Sequence, residues 1–196
     1  MSNKSNTRNI RIKERFSIVN CMGQDSSNTH HLKPYKDFYN FAMTSWIRYK
    51  DVVAPNVVDP FARTCLWGTI RNDIIPLFFQ QNMTTHCMDA LEFMCELETN
   101  SAHIILFDPP FSDRQSNEEY GTSNLYTNPG YISDLGLQFF RVLKPKGYLI
   151  KCGYNTNAPY KGFKLLGVKI ANMGASRNDI LFSIWQNQQT DWHDYI

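Results

Sequence analysis

Short apolar runs alternate with amphipathic stretches along most of the chain, and each run ends on an acid or a glycine. Ile104-Ile105-Leu106-Phe107 has the length and β-branching of a fully buried strand. Asp108-Pro109-Pro110-Phe111 follows, and two prolines cannot donate to a sheet ladder, so the strand must end there. Asn56-Val57-Val58-Asp59-Pro60-Phe61 repeats that shape. Thr69–Asp73 and Thr84–Asp89 are two more short segments that reach an acid. Tyr148–Cys152 is closed by Gly153, and Phe163–Ile170 and Asp179–Trp185 read as an antiparallel pair joined by a turn around Gly174.

Helical period appears between these runs. Phe38, Phe41, Ala42, Ser45, Trp46 and Tyr49 form one stripe, with Pro34 suited to the first turn. Ala90, Phe93, Met94 and Leu97 form a second, and Ile132, Leu135, Phe139, Val142 and Leu143 a third. Ser112 to Pro129 is polar without periodicity and reads as a long loop. Strands alternating with helices predict an α/β fold with a doubly wound, mainly parallel sheet and an antiparallel C-terminal strand pair. Asp59, Asp73, Asp89 and Asp108 would then gather at its carboxyl edge, where open α/β sheets bind ligands.

Residues 1–33 are rich in Ser, Asn and charge and are expected to form a basic, polar arm, interrupted by Phe16-Ser17-Ile18-Val19. Residues 34–196 are expected to form one domain. The whole chain carries only +2, but residues 1–15 hold Lys4, Arg8, Arg11, Lys13 and Arg15 against Glu14, five cations to one acid. A basic arm on a near-neutral body suits phosphate contacts or a solvated tail. The 5 cysteines show no C-x-x-C pair and no zinc spacing. That argues against a metal site and for a reducing, cytoplasmic setting. No run is long enough to span a membrane, and the N-terminus lacks the apolar core of a signal peptide.

Candidate chemistry follows from the acids. A carboxylate only accepts hydrogen bonds when ionised, so acids at successive strand ends suit an ammonium, a ribose diol or an exocyclic amine. A dinucleotide site would need G-x-G-x-x-G after the first of these strands, and only Gly68 is present there. No G-x-S-x-G nucleophile elbow occurs. Each acid also has a structural reading: Asp59 and Asp89 as helix caps, Asp73 as a loop acid.

Several segments carry a family resemblance. Asp108-Pro109-Pro110-Phe111 resembles the Asp-Pro-Pro-Tyr/Phe motif of methyltransferases acting on base amines. Val58-Asp59-Pro60-Phe61-Ala62 resembles their Asp-Pro-Phe-x-Gly cofactor motif, and Leu143-Lys144-Pro145-Lys146-Gly147 resembles a class I methyltransferase turn. With Trp67-Gly68-Thr69-Ile70, Asn72-Asp73 and Met88-Asp89-Ala90-Leu91 in order between them, the chain is similar over about residues 55–186 to small adenine-specific DNA methyltransferases of phages and mobile elements. The resemblance implies a seven-stranded, Rossmann-like class I fold and S-adenosylmethionine as cofactor. It implies that Asp59, Pro60, Phe61 and Ala62 border the methionine part. Asp73 would take the ribose, and Asp89 with Ala90 the cofactor's adenine. Asp108, also beside the cofactor, and the Pro109 carbonyl would take the target amine, with Pro110 and Phe111 completing the site and Phe111 stacking on an extruded base.

Three departures stand out, the first being that Phe111 replaces the commoner Tyr, so no hydroxyl is available there. Ala62-Arg63 replaces the usual glycine turn, and no large target-recognition domain is present. A short degenerate site, single-stranded DNA, or a homodimer or partner subunit would each account for the latter. Arg63, Arg114, Lys161 and Arg177 are candidate phosphate contacts. Cytosine N4 methylation, RNA adenine methylation and a non-catalytic nucleic-acid-binding subunit are the competing functions.

Overall fold

The computed structural model describes residues 15–25, 28–50, 54–120, 128, 130–174 and 177–189; of 48–50, 113, 119 and 120 only the backbone is described. Its strands are β1 (Phe16–Asn20), β2 (Val57–Asp59), β3 (Ile70–Arg71), β4 (Ala102–Phe107), β5 (Leu143–Gly153), β6 (Phe163–Asn172) and β7 (Ile180–Asn187). Its helices are α1 (Lys33–Lys50), α2 (Pro76–Gln80), α3 (Ala90–Glu96), α4 (Asp113–Tyr120) and α5 (Tyr131–Val142), and Thr29–His31 form a 3₁₀ turn. The seven strands make one sheet in the order β1-β6-β7-β5-β4-β2-β3. Only β7 runs antiparallel to its neighbours, β5 and β6.

The apolar run at 104–107 is now explained. Every residue of β4 is buried, as expected for a central parallel strand covered on both faces. On one face α1 packs Phe38, Ala42 and Trp46 against Ile104, Leu106, Ile150 and Ile184. On the other, α3 and α5 pack Phe93, Leu135 and Phe139 against Ile105, Phe107 and Leu149. Each such large side chain contributes roughly 1.5–3 kcal/mol. Lys169 of β6, itself buried, reaches Asp37 of α1 at 2.5 Å and pins that helix to the sheet.

Three expectations are corrected. The polar arm does not extend to residue 33. Residues 16–20 form a parallel edge strand on β6, and Cys21 N donates to the Asn172 carbonyl. Phe16 and Ile18 are 70% exposed there, so the segment lacks the buried face that a sequence pattern detects. Residues 1–14 lie outside the described residues. The segment Thr84–Asp89 is not a strand but a single parallel bridge, Asn72↔His86. A side chain takes the place of the ladder: Asn72 donates to the Met88 carbonyl and accepts from Met88 N. Finally, the stretch after Ser112 opens with helix α4 rather than loop. It is polar on most faces and is held by a Ser112 hydroxyl cap on Gln115 N and by an Arg114–Glu118 pair one turn apart. No helix among the described residues is long and apolar enough to cross a membrane.

Candidate active site

β2 continues outward to β3 on one side and to β4 and β5 on the other. The crevice between β2 and β4 is therefore the point where the winding of the sheet reverses, and ligands of open α/β sheets bind there. Asp59 closes β2 and Asp108 follows β4, one on each side of that crevice. A cleft opens between them. Asp59, Phe61, Ala62, Arg63, Asp108, Pro109, Pro110 and Phe111 all line it, so the two Asp-Pro motifs share one chamber.

Asp108 is held from two sides. The Thr29 hydroxyl donates to its Oδ2, and the Cys152 thiol also hydrogen-bonds it. Burial pushes its pKa up to about 6, against the opposing pull of those donors and of Arg63. Asp59 is 2% exposed, accepts from Phe61 N at 3.2 Å, and is pushed well above the carboxylate range by burial. Asp108 and Asp73 push it further the same way. The Tyr35 phenol faces the same pair of acids, and burial raises its pKa well above the ordinary value. The chamber thus concentrates negative charge in a place that disfavours it, and a cation entering would relieve both costs.

The loop after β2 keeps a glycine-like path without the glycine. Arg63 sits at φ 46°, in the left-handed region. Arg63 N donates to Asp73 Oδ2, and Ala62 N to the Asn72 carbonyl. Gly68 is needed for close approach: a Cβ there would lie 3.0 Å from the Asp59 Cβ. Behind the loop, the fully buried Asn72 side chain also donates to the Pro60 carbonyl. One amide thus ties Pro60 and Met88 together.

Not every expected residue reaches the cleft. Asp73 stands behind the loop, its oxygens accepting from Arg63 N and Ile75 N. Asp89 is the N-cap of α3, accepting from Leu91 N and Glu92 N, and it takes the Tyr131 hydroxyl at 2.7 Å. Ala90 packs into the core beneath it, and Pro60 serves through its carbonyl. None of these four lines the cleft. Conversely, Thr29, Tyr35, Asn72, Gln115 and Cys152 belong to the site's framework and were not singled out from sequence. Cys152 had a signal: the parallel register pairs Phe107 with Lys151, which sets Cys152 beside Asp108. Thr29 had none.

No family model matches the sequence, and no curated protein matches it. Solved structures do. N-methyltransferase NodS from Bradyrhizobium japonicum WM9, in complex with S-adenosyl-L-homocysteine, matches 83% of this chain and 91% of its own, with a TM-score of 0.51 at 7% identity. The fold is that of class I methyltransferases. TrmN from Thermus thermophilus matches 76% of this chain at 14% identity and a TM-score of 0.48. The chain spans about half the length of that protein, 48%. The 1,6-didemethyltoxoflavin-N1-methyltransferase of Burkholderia thailandensis matches 77% of this chain and 78% of its own, with a TM-score of 0.47 at 9% identity.

In this class I methyltransferase fold a second cavity lies across the same turn. Pro109 and Phe111 line both spaces, the second also being walled by Ser133, Lys151, Tyr154 and Asn157. The Phe111 and Tyr154 rings stand 5.0 Å apart. Gln115 Oε1 accepts from Phe111 N at 2.8 Å and fixes the turn from α4. The four basic residues singled out from sequence are dispersed. Arg63 lines the first cleft, Arg114 pairs with Glu118 on α4, Lys161 is exposed between β5 and β6, and Arg177 donates to the Gln24 carbonyl.

Proposed function

We propose that this protein transfers a methyl group from S-adenosylmethionine to the exocyclic N6 amine of adenine in DNA. The observation that carries the reading is the Asp108 carboxylate, part-buried on a stiff Pro-Pro turn in a chamber shared with Asp59 and flanked by the Phe111 ring.

The chamber fits the cofactor by charge. Two carboxylates raised above their ordinary pKa, Asp59 buried and Asp108 part-buried, gain from a cationic guest. When bound, S-adenosylmethionine supplies an electrophilic methyl on a positive sulfonium. Asp59, Phe61 and Ala62 would hold it on the β2 side, with Asp73 bracing the loop from behind. Asp89 is engaged in capping α3 and is left out of this set.

The residues of the second Asp-Pro motif serve the acceptor. The lone pair of a base amine is delocalised into its ring and is a poor nucleophile. Asp108 and the Pro109 carbonyl accept its two hydrogens and favour a pyramidal nitrogen, so positioning and charge complementarity supply most of the rate. With a pKa of about 6, Asp108 is mainly ionised at neutral pH and able to accept. As the nitrogen gains its methyl it sheds one proton, which Asp108 takes directly or through water. A base inside a duplex cannot enter such a chamber, so it is extruded or comes from a single strand. Stacking on Phe111 offsets part of that cost, on the order of 1–3 kcal/mol.

The test is transfer of a labelled methyl group to single- and double-stranded DNA, followed by mass spectrometry of the product nucleosides. N6-methyladenine in DNA is expected. N4-methylcytosine, or transfer only to RNA, would redirect the reading. Binding of S-adenosylhomocysteine with no transfer to any nucleic acid would sink it.

A further inference from the structure

We propose that Lys151 is an anion anchor in the second cavity and takes the phosphate of the nucleotide whose base Phe111 receives. The inference rests on the reading above for the base, but its test is independent of methyl transfer.

The cavity has a volume of about 290 Å³, with Phe111 and Tyr154 as its aromatic wall and Lys151, Ser133, Asn155 and Asn157 as its polar one. Lys151 lies in register with Phe107, so it comes from the residue facing the one before Asp108 on the adjacent strand. Adjacent strands lie about 4.8 Å apart. Its ammonium donates to Asn155 Oδ1 at 2.7 Å and to the Asn157 carbonyl at 2.9 Å. Those two bonds hold the charge in place without neutralising it. An ammonium has three donors, and the third has no protein partner among the described residues. No carboxylate among those residues stands in ion-pair reach of Lys151. Burial alone lowers its pKa, to about 8, which is what a cation without a counter-ion does.

The loop that carries both acceptors is itself fixed. A Cβ at Gly136 of α5 would fall 2.1 Å from the Pro159 carbonyl, so the helix rests directly on the backbone after Asn157. A held, half-buried cation beside an aromatic pair suits a ligand with a flat ring and an adjacent anion. A nucleotide has both.

The experiment titrates the full-length protein with deoxyadenosine, deoxyadenosine 5′-monophosphate and inorganic phosphate by calorimetry. The monophosphate is expected to bind at least about tenfold tighter than the nucleoside. Lys151→Met should bring the two within about twofold, and Lys151→Arg, which keeps the charge, should retain most of the difference. Equal binding of nucleoside and monophosphate by the unaltered protein overturns the proposal, and that comparison needs no variant to fold. So does inorganic phosphate binding as tightly as the monophosphate, which would mark a site for a free anion. Labelled-methyl transfer to DNA, run in parallel, separates the two readings. Transfer without a monophosphate preference removes the anchor alone, whereas preference without transfer removes the enzyme reading alone.

Discussion

Thr29 and Asp108, 79 residues apart in the chain, are joined by a hydrogen bond from the threonine hydroxyl to the carboxylate Oδ2. The bond favours the ionised acid against the burial that opposes it. Thr29→Val keeps the shape of the side chain and removes the donor. The Asp108 pKa should then rise above its value of about 6. The acidic limb of the rate profile is expected to move up by roughly 0.5–1 pH unit. At pH 8 the rate should barely change, and at pH 6 it should fall several-fold. Thr29→Ser should restore the profile. A uniform loss at every pH would reduce Thr29 to a packing role.

Asp108 also sets a sign for stability. Its folded pKa, about 6, lies above the ordinary 3.8. The stabilisation from holding the neutral acid is full below pH 4 and is lost as pH rises through 6. Asp108→Asn abolishes that dependence, and it is expected to be more stable than the parent at pH 7.5 by about 2–3 kcal/mol. Near pH 4 the two should unfold alike. It should also lose methyl transfer while holding S-adenosylhomocysteine within a few-fold. Urea unfolding at the two pH values checks the first claim; a difference that does not change with pH would refute it.

What the chain reveals by itself depends on burial. β4 and the stripe of α1 were legible because their apolar residues face a packed core at a fixed period. The antiparallel β6–β7 pair was legible for the same reason. β1 was not, because its alternating pattern leaves Phe16 and Ile18 outward and its hold on the sheet is backbone pairing. Both Asp-Pro turns were readable, since few structural needs put Asp and Pro, with a second proline after Asp108, straight after a buried strand. Thr29 was hidden because a hydroxyl brought in by an edge strand and a 3₁₀ turn leaves no local trace.

Asn72 replaces a strand with a side chain, and that substitution can be tested. Its amide bonds Pro60 O, Met88 O and Met88 N while fully buried. Asn72→Ala leaves three backbone groups unpaired out of reach of water. A loss of about 2–4 kcal/mol is expected, since each such group costs about 1–3 kcal/mol and some will rehydrate. Because the same bonds fix the turn after Asp59, S-adenosylhomocysteine affinity should fall at least about tenfold. Calorimetry on protein shown to be folded by circular dichroism measures this. Undiminished affinity would detach the amide from the site.

Asp89 should separate cap from ligand. Its Oδ1 accepts from Leu91 N and Glu92 N, and Tyr131 donates to Oδ2. Asp89→Ala removes the cap and is expected to cost about 1–2 kcal/mol. Asp89→Asn keeps an acceptor for both amides and should cost less than half of that. Affinity for S-adenosylhomocysteine should stay within about threefold in Asp89→Asn. A tenfold loss there, with stability intact, would return Asp89 to the cofactor.

Arg63 is the sharpest test of the loop after β2. Where the resembled family has a glycine turn, this chain puts a long side chain at φ 46°. That conformation costs an L-residue roughly 1–2 kcal/mol, most for a β-branched one. The cost is met by the bond from Arg63 N to Asp73 Oδ2 and by the guanidinium charge, which draws down the pKa of both Asp73 and Asp108. Arg63→Gly relieves the strain but surrenders the charge, so the loop should keep its path while Asp108 titrates higher. Arg63→Val surrenders the charge and adds strain. The two variants lose the same cation, so their difference in stability isolates the backbone, and glycine should be the more stable by about 1–2 kcal/mol. Equal stabilities in urea would mean that residue 63 has left the left-handed region and that the turn differs from the glycine turn it resembles.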